Sequence, residues 1–158
     1  GIYNKFEEDG LTLDEKRRID LFAIDFNTTL ITKTYINGEF VWALVDVPPT
    51  FSQQFGNRQR GGFIDFVHPI IRTKLLGFEK AVLNVALRLE YADYNVGKFS
   101  ETGGNISDDV YAMVPGISFR PYPQTVIRAN YRYHWDTDLL GNPPSKMAVY
   151  QFGFSTYF

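Results

Sequence analysis

Lys146-Met147-Ala148-Val149-Tyr150-Gln151-Phe152-Gly153-Phe154-Ser155-Thr156-Tyr157-Phe158 stands at the end of the sequence, and its side chains sort by parity. Ala148, Tyr150, Phe152, Phe154, Thr156 and Phe158 take one side; Val149, Gln151, Gly153, Ser155 and Tyr157 take the other. A period of two is the signature of a strand with two unlike faces. The pattern recurs upstream. Between 124 and 136, Ile127, Ala129, Tyr131, Tyr133 and Trp135 oppose Val126, Arg128, Asn130, Arg132 and His134. Between 80 and 95, Ala81, Leu83, Val85, Leu87, Leu89 and Tyr91 oppose Val82, Asn84, Ala86, Arg88, Glu90 and Ala92. Near the start, Phe22, Ile24, Phe26, Thr28 and Leu30 oppose Ala23, Asp25, Asn27 and Thr29.

Polar, Gly/Pro-rich breaks then divide the chain into strands near 18–36, 39–47, 61–73, 80–95, 109–121, 124–136 and 146–158, an all-β, antiparallel expectation. Residues 1–17 read as a loop; the one helix candidate, Leu11 to Ile19, has no apolar stripe at helical spacing. Pro69 and Pro115 fall inside strands, where each removes a ladder donor and marks a bulge or bend. Asn37-Gly38 carries a type I′ hairpin signal. Short connections there, near 74–79 and at 121–124 alternate with long ones at 48–60, 96–108 and 137–145.

Composition narrows the class. Phe 14, Tyr 10 and Trp 2 make 16% of the chain aromatic, a bias toward strands and toward membrane rims. The formal net charge is −2 with no basic run, which argues against nucleic acid as a partner. There is no cysteine, so disulfides, thiolate metal sites and cysteine nucleophiles are excluded. No stretch reaches the ~18 apolar residues of a membrane helix, which leaves membrane strands open.

The residue types on the two faces point to a transmembrane β-barrel over a soluble one. Tyr91, Tyr94, Tyr133 and Trp135 sit near strand ends with aliphatic residues between them, as in an aromatic girdle bounding lipid. The opposite face supplies candidate pore-lining residues: Asp25, Asn27, Lys33, Glu39, Asn84, Arg88, Glu90, Arg128, Asn130, Arg132 and Gln151. Charges and amides in mid-strand make a poor dry core and a natural lining for a water-filled lumen. A soluble sandwich or barrel remains the competing reading, since it would expose the same polar face to solvent.

The terminal segment resembles the C-terminal assembly signal of bacterial outer-membrane proteins through Tyr150, Phe152, Phe154 and Phe158, with Thr156 where an aromatic or aliphatic residue is more usual. With Phe158 on the periplasmic side, the three short connections fall there and the long ones outside. An odd strand count then implies at least one strand before Gly1.

Three segments resemble porins of the phosphate-selective type and the broader porin group around it. They are Phe51-Ser52-Gln53-Gln54-Phe55-Gly56-Asn57-Arg58-Gln59-Arg60-Gly61-Gly62-Phe63, Leu87-Arg88-Leu89-Glu90-Tyr91-Ala92-Asp93-Tyr94-Asn95, and Pro115-Gly116-Ile117-Ser118-Phe119-Arg120-Pro121. The resemblance covers most of residues 18–158. It implies a single β-barrel domain over 1–158, forming the C-terminal part of a barrel of about sixteen strands that is usually trimeric. It also implies residence in the outer membrane among phospholipid and lipopolysaccharide, and delivery by the barrel-assembly machinery through the C-terminal strand. The expected function is passive diffusion of small hydrophilic solutes or ions. Phosphate selectivity does not carry over: Arg88, Arg128, Arg132 and Lys33 share the wall with Asp25, Glu39 and Glu90. That mixture suits a general channel with a transverse field. A small filled barrel with a structural or adhesive role, and a soluble barrel binding a small apolar ligand, are the alternatives.

No enzyme chemistry, cofactor or metal site is expected. His68 and His134 lie on different strands without a carboxylate at ligand spacing. Glu7, Glu8, Asp9 and Asp14 match no EF-hand loop, and Gly61-Gly62 and Gly103-Gly104 open no helix that could cradle phosphate.

Overall fold

The computed structural model describes residues 2–6, 12–30, 33–47 and 56–157, with side chains from 18 onward in those ranges. Eight strands follow one another in it: β1 (Ile2–Phe6), β2 (Thr12–Leu30), β3 (Thr34–Val45), β4 (Arg58–Leu75), β5 (Phe78–Asp93), β6 (Asp109–Arg120), β7 (Thr125–Asp136) and β8 (Ser145–Thr156). Each pairs antiparallel with the next, so sheet order equals chain order and there is no crossover. No helix occurs among the described residues. The described edges, β1 and β8, do not pair with each other, and the sheet is open.

The alternation in the sequence explains the register. A slip of one residue would move every side chain of a strand to the wrong face. The pairings Phe22↔Trp42, Ile24↔Phe40, Leu89↔Met113 and Ile127↔Phe154 keep apolar with apolar. Asn130↔Gln151 and Asn84↔Ser118 keep polar with polar.

Three sequence expectations change. Asn37-Gly38 is not the first turn: both residues lie inside β3, paired with Asn27 and Phe26, and the β2–β3 ladder closes earlier, at Leu30↔Thr34. Gly38 is needed there for space. A Cβ on it would lie 2.7 Å from the Phe63 carbonyl oxygen and 2.8 Å from the Phe26 ring, which covers the glycine. The stretch 1–17 is not all loop, because it holds β1 and the first part of β2. Tyr94 lies beyond the end of β5 and does not belong to the apolar face.

The two prolines behave differently. At Pro69 the β4–β5 register shifts before Ile71, a bulge. At Pro115 the β6–β7 register is kept, but the paired residues stop at Met113 and resume at Gly116. A missing N–H on the side facing β7 accounts for that gap.

The turn between β4 and β5 is tight. Leu76 (φ 51°) and Gly77 (φ 85°) both adopt the left-handed conformation that a two-residue hairpin with matched twist requires. Together with 121–124, the end of β2 and the start of β3, it lies at one edge of the sheet, where β8 also ends; the end of β3, the start of β4, and 94–108 and 137–144 lie at the other.

The sheet has almost no interior. The buried apolar side chains among the described residues are Ile36, Ala81, Ala112 and Val114. Phe22, Ile24, Ile127, Phe154 and Phe152 are instead 60, 52, 48, 69 and 82% exposed. A single layer must cover its apolar face with something else.

Candidate functional site

Residues paired across antiparallel strands project to the same side, so the registers assign every strand position to one of two faces. One face carries Phe22, Ile24, Phe26, Phe40, Trp42, Ile64, Leu87, Leu89, Met113, Ile117, Tyr131, Tyr133, Phe152 and Phe154. Some of its aromatic rings cluster near the two ends of the strands. Toward the long connections, Phe40–Trp42, Tyr91–Tyr111 and Tyr133–Trp135 approach at centroid distances of 4.2, 4.8 and 4.8 Å. Toward the short ones, Phe78 meets Phe119 at 5.9 Å and Tyr122 at 5.2 Å. Between the two ends lie Val85, Leu87 and Leu89 of β5 together with Phe66, Phe152 and the Tyr131–Tyr150 pair, whose ring centroids are 5.1 Å apart.

The other face is the candidate site. All the residues proposed as lining from the sequence fall on it except Lys33, which sits in the turn between β2 and β3. Its centre is a chain of charges running across the strands. Arg88 on β5 grips Asp65 on β4 with two contacts, Nε to Oδ1 and Nη2 to Oδ2, both 2.6 Å. Asn37 on β3 donates to the same carboxylate at 3.3 Å. Glu90 lies 3.9 Å from Arg88 and accepts from Arg132 on β7. The Arg88 guanidinium also covers the Phe63 ring, 4.2 Å from its centroid. Toward the short connections, Asn84 donates to Ser118 Oγ at 3.0 Å, and Arg128 lies along Gly153. The side chains of Asp65, Glu90 and Arg132 are only 17, 25 and 26% exposed, so these pairs are partly desolvated and stronger than open surface bridges.

Three participants were not legible as site residues. Asp65, Phe63 and Asn37 lie in stretches that read as an apolar run and a turn; only the β3–β4–β5 register brings them beside Arg88. Two other proposals resolve as follows. Tyr150, Phe152 and Phe154 of the terminal segment line the apolar face of edge strand β8, and Phe158 lies outside the described residues. His68 is on the apolar face with Nδ1 2.9 Å from Thr34 Oγ1, whereas His134 is on the polar face with a buried Nδ1 that has no hydrogen-bond partner among the described residues. The two histidines are therefore separated by the sheet.

At the edge with the long connections, loops 94–108 and 137–144 are tied together. The Ser107 N–H donates to the Leu139 carbonyl at 3.1 Å, and the Tyr94 N–H closes the first loop on the Asp108 carbonyl at 2.9 Å. Asp138 accepts from the Leu140 and Asn142 N–H groups and from the Asn142 amide, which holds its carboxyl below the ordinary value. Asp108 is the opposite case. Partial burial, then the carboxylates of Asp136, Asp93 and Asp109, push it above its usual 3.8, and its φ of 106° is strained for a non-glycine residue. A carboxyl raised in the folded state penalises the fold once it ionises, so loop stability falls as pH climbs from 3.8 through the raised value. Asp108→Asn should remove that slope. Hydrogen exchange at the Tyr94 amide, corrected for intrinsic rate, should become independent of pH in the variant and slow on acidification in the parent.

Set against protein-family models, curated proteins and solved structures, the chain matches none of them.

Proposed function

We propose that this chain is part of a β-barrel of the bacterial outer membrane and serves as a passive channel for small hydrophilic solutes or ions. In this reading the apolar face meets lipid, the charged face lines the lumen, and the sheet continues into further strands that close it. The observation that carries the reading is the separation of the two faces on a sheet with almost no buried core. A broad band of exposed aliphatic and aromatic side chains on one side makes no sense in water, where it would drive aggregation.

The dimensions agree. At ~3.4 Å per residue and a tilt of ~40°, Tyr91 to Phe78 on β5 spans roughly 34 Å and Tyr111 to Phe119 on β6 roughly 21 Å. These values bracket the ~25 Å apolar band of such barrels. Tight turns at one edge and long loops at the other fit the periplasmic and outer sides. The proposed partners follow: phospholipid and lipopolysaccharide against the apolar face, the assembly machinery at β8, and two further copies in a trimer.

The charged chain from Asp65 to Arg132 also favours a second reading, a narrow barrel whose interior is filled by cross-strand pairs and which conducts nothing. Planar-bilayer recording on the intact, folded protein separates the two. The channel reading expects discrete conductance steps that scale with salt. A folded preparation without steps would leave only the filled barrel.

A further inference from the structure

On the polar face, the register Ala23↔Val41↔Gly61↔Ala92↔Val110 lays a row of small apolar residues across five strands. The next row toward the short connections is Asp25↔Glu39↔Phe63↔Glu90. Where the two rows meet, a cavity of about 340 Å³ opens, walled by Val41, Phe63, Ala92, Tyr94 and Val110 and floored by Glu39, Glu90 and Arg132. That volume and that makeup, apolar walls with a few convergent polar groups, are what small-molecule sites have. Water alone does not require such a wall. A wider hollow on the same face, nearer the short connections, also has apolar walls at Val67, Ala86, Val114 and Val126, but Arg88, Arg120, Arg128 and Arg132 outnumber Asp65 and Glu90 there, which disfavours a cation.

The charges decide which ligand. Glu90 is already held by Arg132, so that pair contributes little net field. Glu39 is in no ion pair among the described residues, and Asp25 stands directly across from it on β2, likewise unpaired. Two carboxylates facing each other across a strand pair repel, and a cation between them removes the repulsion. We propose that this cavity binds a small organic cation, its apolar body against Val41, Phe63 and Val110 and its ammonium group at Glu39. The inference rests on the polar face being open to solute, as in the channel reading, and it names the class of solute that the wall favours. An inorganic cation would gain from Glu39 but nothing from the apolar wall, and an anion would lose from both carboxylates.

The test uses the full chain folded in detergent micelles, with benzyltrimethylammonium as probe and phenylacetate as its anionic counterpart, followed by calorimetry. Benzyltrimethylammonium should bind and phenylacetate should not. Glu39→Gln should weaken the cation by at least about tenfold, the loss of one charge-assisted contact. Val110→Trp, which fills the cavity and keeps both carboxylates, should abolish binding. Lys74→Ala, at the far turn, serves as the control for handling. Equal binding of the two probes overturns the proposal, as does cation binding that survives both variants, or no binding of the cation at millimolar concentration. Micelle binding without bilayer conductance would defeat the channel and leave this site standing. Conductance without Glu39-dependent binding would do the reverse.

Discussion

Phe152→Arg should destabilise the folded protein in a bilayer by about 2–4 kcal/mol, the cost of a cation on the lipid-facing side of a membrane strand near mid-depth. Phe152 is the most exposed of the large apolar side chains among the described residues, at 82%, and it pairs with Ala129 on the apolar face. Its neighbour Gln151 points to the other side, opposite Asn130. Gln151→Arg should therefore cost less than about 0.5 kcal/mol, as substitutions on a wetted surface do. A soluble sheet with Phe152 in water would reverse the ranking, since replacing an exposed aromatic by arginine would then be neutral or helpful. Guanidinium titrations of both variants refolded into vesicles decide between the outcomes.

Arg88→Ala is the second substitution expected to have a large effect. It strips Asp65 of both short contacts, leaving the Asn37 amide at 3.3 Å, and takes the cation from the Phe63 ring. A half-buried carboxylate without its counter-charge costs more than the pair was worth. Arg88 is itself 41% exposed, so solvent screens part of the loss and about 1–3 kcal/mol is expected. Asp65→Leu with Arg88→Met should recover most of it, because neither charge is then stranded. Lys74→Ala breaks an ion pair that is 64 and 72% exposed and should change stability by less than about 0.5 kcal/mol. Equal losses for Arg88→Ala and Lys74→Ala would mean that the charged chain is fully solvated and holds nothing.

How far the sequence carried depended on whether the information was local. Strands β5 to β8 were legible because parity is a property of neighbours in the chain: 124–136 was expected where 125–136 is observed, and 109–121 where 109–120 is observed. The alternation of short and long connections followed from the same reading. The first hairpin was misplaced because Asn37-Gly38 is a strong local turn signal, and the Phe26 ring that makes Gly38 necessary lies on another strand. Asp65 was missed for a related reason. It sits between Ile64 and Phe66 in a run that reads as apolar, and its partner is reached only through the β4–β5 register. Tyr94 was grouped with the apolar face as an aromatic residue near a strand end, although its parity is opposite to that of Tyr91 and it lies beyond the end of β5. The strand residues grouped by parity share one face, with Lys33 outside it in a turn, whereas which of the charges neutralise one another was not legible, since pairing across strands leaves no trace in a single chain.

Strand β8, whose two faces differ, reports most directly which side meets lipid. Single nitroxide labels at successive positions from 147 to 155, in the full protein reconstituted in lipid vesicles, would be probed for collision with oxygen and with a water-soluble nickel complex. Strict alternation is expected: oxygen-dominated, lipid-like relaxation at 148, 150, 152 and 154, and nickel-dominated, water-like relaxation at 147, 149, 151, 153 and 155. Water-like relaxation at both sets of positions would contradict it.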